Sequence, residues 1–129
     1  MIERYSRPEM KRVWSEENKF DKWLQVEIAA CEAWAELGVV PKEAIPKIRK
    51  AKLDFGRMAE ILKITHHDVT AFLQAVSESL GEESRFVHLG LTSSDIMDTA
   101  LSLQLQEASK LLEQDVEQLI EVLEAKAIE

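Results

Sequence analysis

The sequence has a single cysteine, Cys31. No disulfide can form within the chain, and no cluster of cysteines can hold zinc. Aromatic residues make up only 6% of the chain, and three of the eight are Trp14, Trp23 and Trp34 in its first third. Basic residues are outnumbered, 16 against 24 acidic, for a formal net charge of −8. That balance argues against non-specific nucleic-acid binding, which needs a basic face. It leaves room for small anions, which a few local donors can hold. No apolar run reaches the ~18 residues of a membrane span. The opening "MIERYSRPEM" lacks the apolar core of a signal peptide. With one cysteine and neither of those segments, the expected location is cytoplasmic.

Glycine and proline are also scarce, four and three in 129 residues, so those present punctuate sharply. Ser15 is placed to cap a helix that runs to Gly38. Its apolar positions Phe20, Trp23, Leu24, Ile28, Cys31, Trp34 and Leu37 recur at spacings of three and four, with Trp23 and Leu24 adjacent, the helical period. "VVPKEAIPKIRKA" reads as a turn and a short helix, with Pro41 tolerated in its first turn. Asp54 is placed to cap a helix reaching about Ile64. Thr65 and Asp68 form a Thr-x-x-Asp box, a variant capping box that predicts a helix from there to Gly81. "GEESRFVHLG" reads as a loop. A second box, Thr92 to Asp95, opens a stretch without Gly or Pro up to Glu129. One helix ~50 Å long is the simple reading, at ~1.5 Å per residue. The fold class is all-α.

That last segment carries the stripe Met97, Leu101, Leu105, Ala108, Leu112, Val116, Leu119, Leu123 and Ala127. Its eleven-residue period suits nearly straight or slightly right-handed packing. Ile96, Ala100, Leu103, Leu111 and Ile120 widen the face. A face so long needs partner helices, from this chain or from other copies. "LIEVLEAKAIE" carries no C-cap signal, which reads as a helix cut short.

Three motifs carry chemistry. At "TSSD" three successive hydroxyls precede a helix N-terminus, which binds carboxylate or phosphate readily. A purely structural alternative stands beside this: Thr92 and Asp95 cap the helix and the serines are solvated. At "THHDV" His66 and His67 point ~100° apart on a helix, so they are poorly placed to clamp one metal. A histidine there can transfer a proton or pair with a phosphate, or merely cap. His88 is a polar residue in an otherwise apolar loop. At "ERYS", Arg4 and Tyr5 offer a fork and a hydroxyl for a phosphate.

In the order "RYS", "AWAELGVVPKEA", "THHDVTAF" and "SRFVHLGLTSSDIMDTA", the chain resembles the adenylosuccinate lyase family of the fumarase/aspartase superfamily. The likeness covers the chain but only the first part of that family's longer sequences. It implies an N-terminal helical domain over residues 1–92, then residues 93–129 as the truncated first long helix of a central bundle. The family cleaves adenylosuccinate to AMP and fumarate, and the succinylated carboxamide ribotide likewise, by β-elimination in purine biosynthesis. By resemblance, Arg4 and Tyr5 would hold the nucleotide phosphate. His66, His67 and Asp68 would line the substrate pocket. Thr92 and Ser93 would bind a carboxylate, and His67 and His88 would stand nearest the chemistry. No cofactor or metal is implied. The partners implied are a small nucleotide substrate and further copies of the chain, joined through helix 95–128 into a homotetramer. The family's "SSxMPxKxN" loop with its serine base and the later histidine acid are absent from these residues. The 129-residue chain is therefore expected to be inactive alone. Two other readings remain: another lyase of the superfamily, or a non-catalytic helical oligomerisation module.

Overall fold

The computed structural model describes residues 3–129, and every regular element among them is helical. The α-helices are α1 (Pro8–Val13), α2 (Glu16–Glu36), α3 (Ile45–Ile48), α4 (Phe55–Thr65), α5 (Asp68–Glu78) and α6 (Ser93–Ile128). Short 3-10 turns occupy Glu3–Tyr5, Lys42–Ala44 and Gly81–Phe86. The segment expected to be an irregular loop after residue 80 thus contains about two turns of 3-10 helix.

Local capping explains most boundaries. Ser15 accepts from the Asn18 N–H at 3.1 Å and starts α2. The helix ends in a left-handed Gly38, φ +76°. Gly38 N–H reaches the Ala35 carbonyl at 3.2 Å and Val39 N–H the Trp34 carbonyl at 2.9 Å, the paired bonds of a Schellman ending. Asp54 caps α4 through the Arg57 N–H at 3.0 Å.

The expected box at Thr65 is not the start of α5. Thr65 is the last residue of α4, and its hydroxyl donates back to the Ile61 carbonyl at 3.2 Å. His66 then turns left-handed at φ +52°, and His67 becomes the N-cap of α5. A left-handed residue between the two helices moves the start two residues downstream of the threonine.

The core lies where α2, α4, α5 and the start of α6 meet. Phe20, Trp23, Met58, Ile61, Val69, Phe72, Val76, Ile96 and Ala100 are buried together. The Trp23 ring stands edge-on to Phe20 and Phe72, with centroids 4.9 and 5.4 Å apart. A second cluster joins Cys31, Ala35, Val40, Ile45 and Ile48, with Trp34, Phe86 and Val87 packed against it.

Helix α6 spans 36 residues, or ~54 Å. The face it buries against the chain is Ile96, Ala100, Gln104 and Ala108, where small side chains let α2 approach. The longer stripe points outward: Met97, Leu101, Leu105, Leu112, Val116, Leu119 and Leu123 are all exposed. Ile96 and Ala100 from the secondary positions and Ala108 from the main stripe are the ones that pack, because the partner helix in this chain lies beside them.

Candidate functional site: the two histidine turns and the start of α6

His67 closes the α4–α5 turn. Its Nδ1 accepts from the Thr70 N–H at 3.3 Å. That ring nitrogen must therefore carry a lone pair, and in the neutral ring the hydrogen sits on Nε2. Asp68 opens α5 in its first turn, and its carboxylate accepts from the Val69 N–H at 2.8 Å. The Asp68 carboxylate lies 3.8 Å from His67 Nδ1. His66 and His67 are both exposed. The three residues of "HHD" thus stand together on one turn, with the two histidines directed by different backbone conformations.

His88 sits in the segment that leads into α6. It is left-handed, φ +65°, which a histidine tolerates better than a β-branched residue. Its backbone N–H donates to Glu27 Oε2 at 2.8 Å, and its Nδ1 lies 2.7 Å from Glu27 Oε1. Glu27 belongs to α2 and is only 1% exposed, while the His88 side chain keeps 23%. Glu27 is the site-adjacent residue that sequence reasoning missed. The available signal was a glutamate on the Trp23–Cys31 face of an amphipathic helix. Its partner lies 61 positions away, beyond the reach of any local pattern.

At the start of α6, Thr92 is the N-cap and forms a capping box with Asp95. Asp95 Oδ2 accepts from the Thr92 N–H at 2.8 Å. Ser93 is half-buried at the first helical position and Ser94 is exposed. Asp95 engages one of the end's backbone donors, and the first turn of a 36-residue helix carries the partial positive charge that favours an anion.

Arg4 and Tyr5 lie apart from these turns, on the N-terminal 3-10 turn. The Arg4 guanidinium covers the Tyr5 ring at 4.8 Å. Tyr5 borders a cavity of about 200 Å³ together with Arg7, Met10, Leu111, Leu112 and Asp115. Arg7 and Asp115 form an ion pair across it, tying the N-terminal segment to the middle of α6. A broader cavity of about 740 Å³, lined by Lys52, Asp54, Phe55, Arg57 and Glu78 among others, contains none of the expected site residues.

The comparisons bear on this arrangement. The family model described as Lyase matches residues 3–129. The chain belongs to the lyase family. It is 57% identical over 130 residues to the adenylosuccinate lyase of Bacillus subtilis (strain 168), covering 100% of this chain and 30% of that protein. It is 52% identical over 128 residues to the adenylosuccinate lyase of Staphylococcus saprophyticus, covering 98% of this chain and again 30% of the relative. The chain therefore spans about a third of the length of these curated relatives. Among solved structures, it is similar to a 3-carboxy-cis,cis-muconate lactonizing enzyme from Pseudomonas putida, with TM-score 0.79 and 32% identity over 86% of this chain and 27% of that one. A fumarate lyase from Mesorhizobium sp. BNC1 gives TM-score 0.75 and 26% identity, over 84% of this chain and 26% of that one. The all-α reading and the resemblance to adenylosuccinate lyases both stand. No helix among the described residues is long and apolar enough to cross a membrane.

Proposed function

We propose that the chain is the N-terminal portion of an adenylosuccinate lyase, a protein that cleaves adenylosuccinate to AMP and fumarate by β-elimination. The 57% identity along the whole chain is the observation that carries this reading, and the muconate-type structures are more distant in sequence. On this reading, residues 1–92 form the N-terminal helical domain and 93–129 begin a central bundle. Thr92 and Ser93 take a carboxylate of the succinyl group, where the helix N-terminus adds fixed positive charge to meet the charge that develops during elimination. His67 and His88 stand nearest the reacting atoms, with His66 and Asp68 beside them. Arg4 and Tyr5 take the nucleotide phosphate. The exposed stripe of α6 joins further copies into a tetramer, and the protein works in the cytoplasm.

Proton transfer in such an elimination needs a positioned base and acid, each worth about 10²–10⁴ in rate. The test is a chimera. Residues 1–129 replace the corresponding third of the B. subtilis relative, and adenylosuccinate cleavage is followed by absorbance. Turnover within about tenfold of the unmodified relative is expected, while 1–129 alone gives none. A chimera that assembles like the relative but does not release fumarate would overturn the proposal. In the same chimera, Ser93→Ala weakens fumarate binding more than AMP binding, and Arg4→Ala does the reverse. Each loses a bond to a charged group, worth roughly 1.5–3 kcal/mol.

A further inference from the structure

The segment from Phe86 to Leu91 is fastened along one face of α2. The Cys31 thiol donates to the Phe86 carbonyl at 3.3 Å. Trp34 Nε1 donates to the Leu89 carbonyl at 2.8 Å. Between them, Glu27 takes both the N–H and the ring of His88. Positions 27, 31 and 34 are steps of four and three, a single helix face.

Glu27 differs from the other two because it brings a carboxylate into the interior. A buried carboxylate needs a donor for each oxygen. His88 supplies both from one residue, and its left-handed backbone lets the N–H and the ring converge on the same group. The backbone N–H occupies Oε2 and can only donate. Oε1 therefore faces Nδ1 at 2.7 Å. An ionised carboxylate only accepts, so Nδ1 carries the hydrogen.

We propose that Glu27 is a positioning residue that fixes the tautomer of His88, holding the hydrogen on Nδ1 and presenting Nε2 to a ligand as a lone pair. The proposal rests on the reading of His88 as a site residue. It makes the two histidines opposites. His67, whose Nδ1 accepts from the helix, offers Nε2–H, while neutral His88 offers an acceptor. One ring is set to donate and the other to accept.

The experiment is two-bond ¹H–¹⁵N correlation on the ¹⁵N-labelled 129-residue chain, above the titration range of its three histidines. His88 is assigned from its missing signals in His88→Gln. The wild-type chain should show His88 protonated at Nδ1 and His67 at Nε2. In Glu27→Gln the amide oxygen stays with the His88 N–H, which leaves the amide nitrogen facing the ring. The shifts of the two His88 nitrogens should then exchange, while those of His67 stay in place. A wild-type His88 protonated at Nε2, or a Glu27→Gln chain with an unchanged tautomer, would overturn the proposal. If Glu27→Gln loses its helical circular dichroism, the wild-type tautomer decides alone. None of these measurements involves turnover, so an inactive chimera sinks the catalytic reading while the tautomer set by Glu27 is decided separately.

Discussion

Gln104, buried on α6, donates from Nε2 to the Val13 carbonyl at 2.8 Å, closing a contact between residues 91 positions apart. The same carbonyl accepts from Asn18 Nδ2 at 2.9 Å, so the end of α1, the start of α2 and the first third of α6 meet at one oxygen. Gln104→Met keeps the bulk but removes one donor, and Val13 retains Asn18. The expected loss is about 1 kcal/mol, the net worth of one hydrogen bond. Gln104→Glu should cost more, because it sets a buried carboxylate against a carbonyl. Urea unfolding of the two variants gives the comparison, and equal midpoints would refute the ordering.

Gly90 stands at φ +74°, and a Cβ built there would lie 3.1 Å from the Trp34 ring. Gly90→Ala incurs both the left-handed backbone and that close approach. A loss of roughly 1–2 kcal/mol follows from the backbone alone. Thermal unfolding should show it. Gly38→Ala, left-handed with nothing within 4 Å of the added carbon, should lose less.

Burial pushes the Cys31 thiol up to about 11, with Glu27 and Glu32 adding to the shift. At pH 8 about one molecule in a thousand would carry a thiolate, the reactive form. An aromatic disulfide reagent should leave the folded chain unlabelled and titrate one thiol in denaturant. The linkage has a definite sign. Above the ordinary thiol value of 9.0 the unfolded chain loses this proton and the folded chain keeps it. Stability therefore falls as pH rises from about 9 to 11. Cys31→Ala should flatten that limb, and an unchanged limb would place the pH dependence elsewhere.

Glu107 on α6 is paired with Lys22 on α2 and accepts from Asn18 Nδ2 at 2.9 Å. The Lys22 ammonium, together with Asn18, holds its carboxyl below the ordinary glutamate value, against a smaller opposing effect of burial. A depressed carboxyl contributes stability that is present above the unfolded value, 4.5, and lost as pH falls through the folded one. Glu107→Gln should thus lower stability at neutral pH and soften the acid limb. Unfolding at pH 7 and pH 3 measures both, and a variant that loses as much at pH 3 would contradict this.

Leu112 is 57% exposed, as is Leu123, in a row that continues through Val116 and Leu119. Burying one such side chain is worth roughly 1.5–3 kcal/mol, and exposed apolar rows of this length find partners. The 129-residue chain should sediment as a dimer or tetramer at micromolar concentration. Leu112→Glu with Leu119→Glu should shift it toward monomer. A well-behaved monomeric wild-type chain would end this expectation.

Legibility followed the range of each signal. Ser15, Gly38, Asp54 and the Thr92–Asp95 box were readable because a cap is decided within four residues. Thr65 misled because the same box can follow a helix or precede one, and only the left-handed His66 settles which. The outward stripe of α6 was read correctly as a helical face, but composition alone could not say which side α2 would take. Its large leucines look like core, whereas Ala100 and Ala108 are what permit close packing. The histidines and hydroxyls stood out by type. Glu27 did not, since its meaning depends on a residue 61 positions later.

The fastening of residues 86–91 to α2 bears on when order is acquired. A connecting segment normally samples many conformations until something binds, and immobilising it then subtracts from affinity. Here Cys31, Glu27 and Trp34 each hold a different backbone or ring atom of the segment. Its entropy is surrendered with the folding of α2, before any ligand arrives. Amide exchange at His88 should therefore track the opening of the second core cluster rather than that of a free surface turn. On the proposed reading, an arriving anion would meet the start of α6 with the approach to it already rigid.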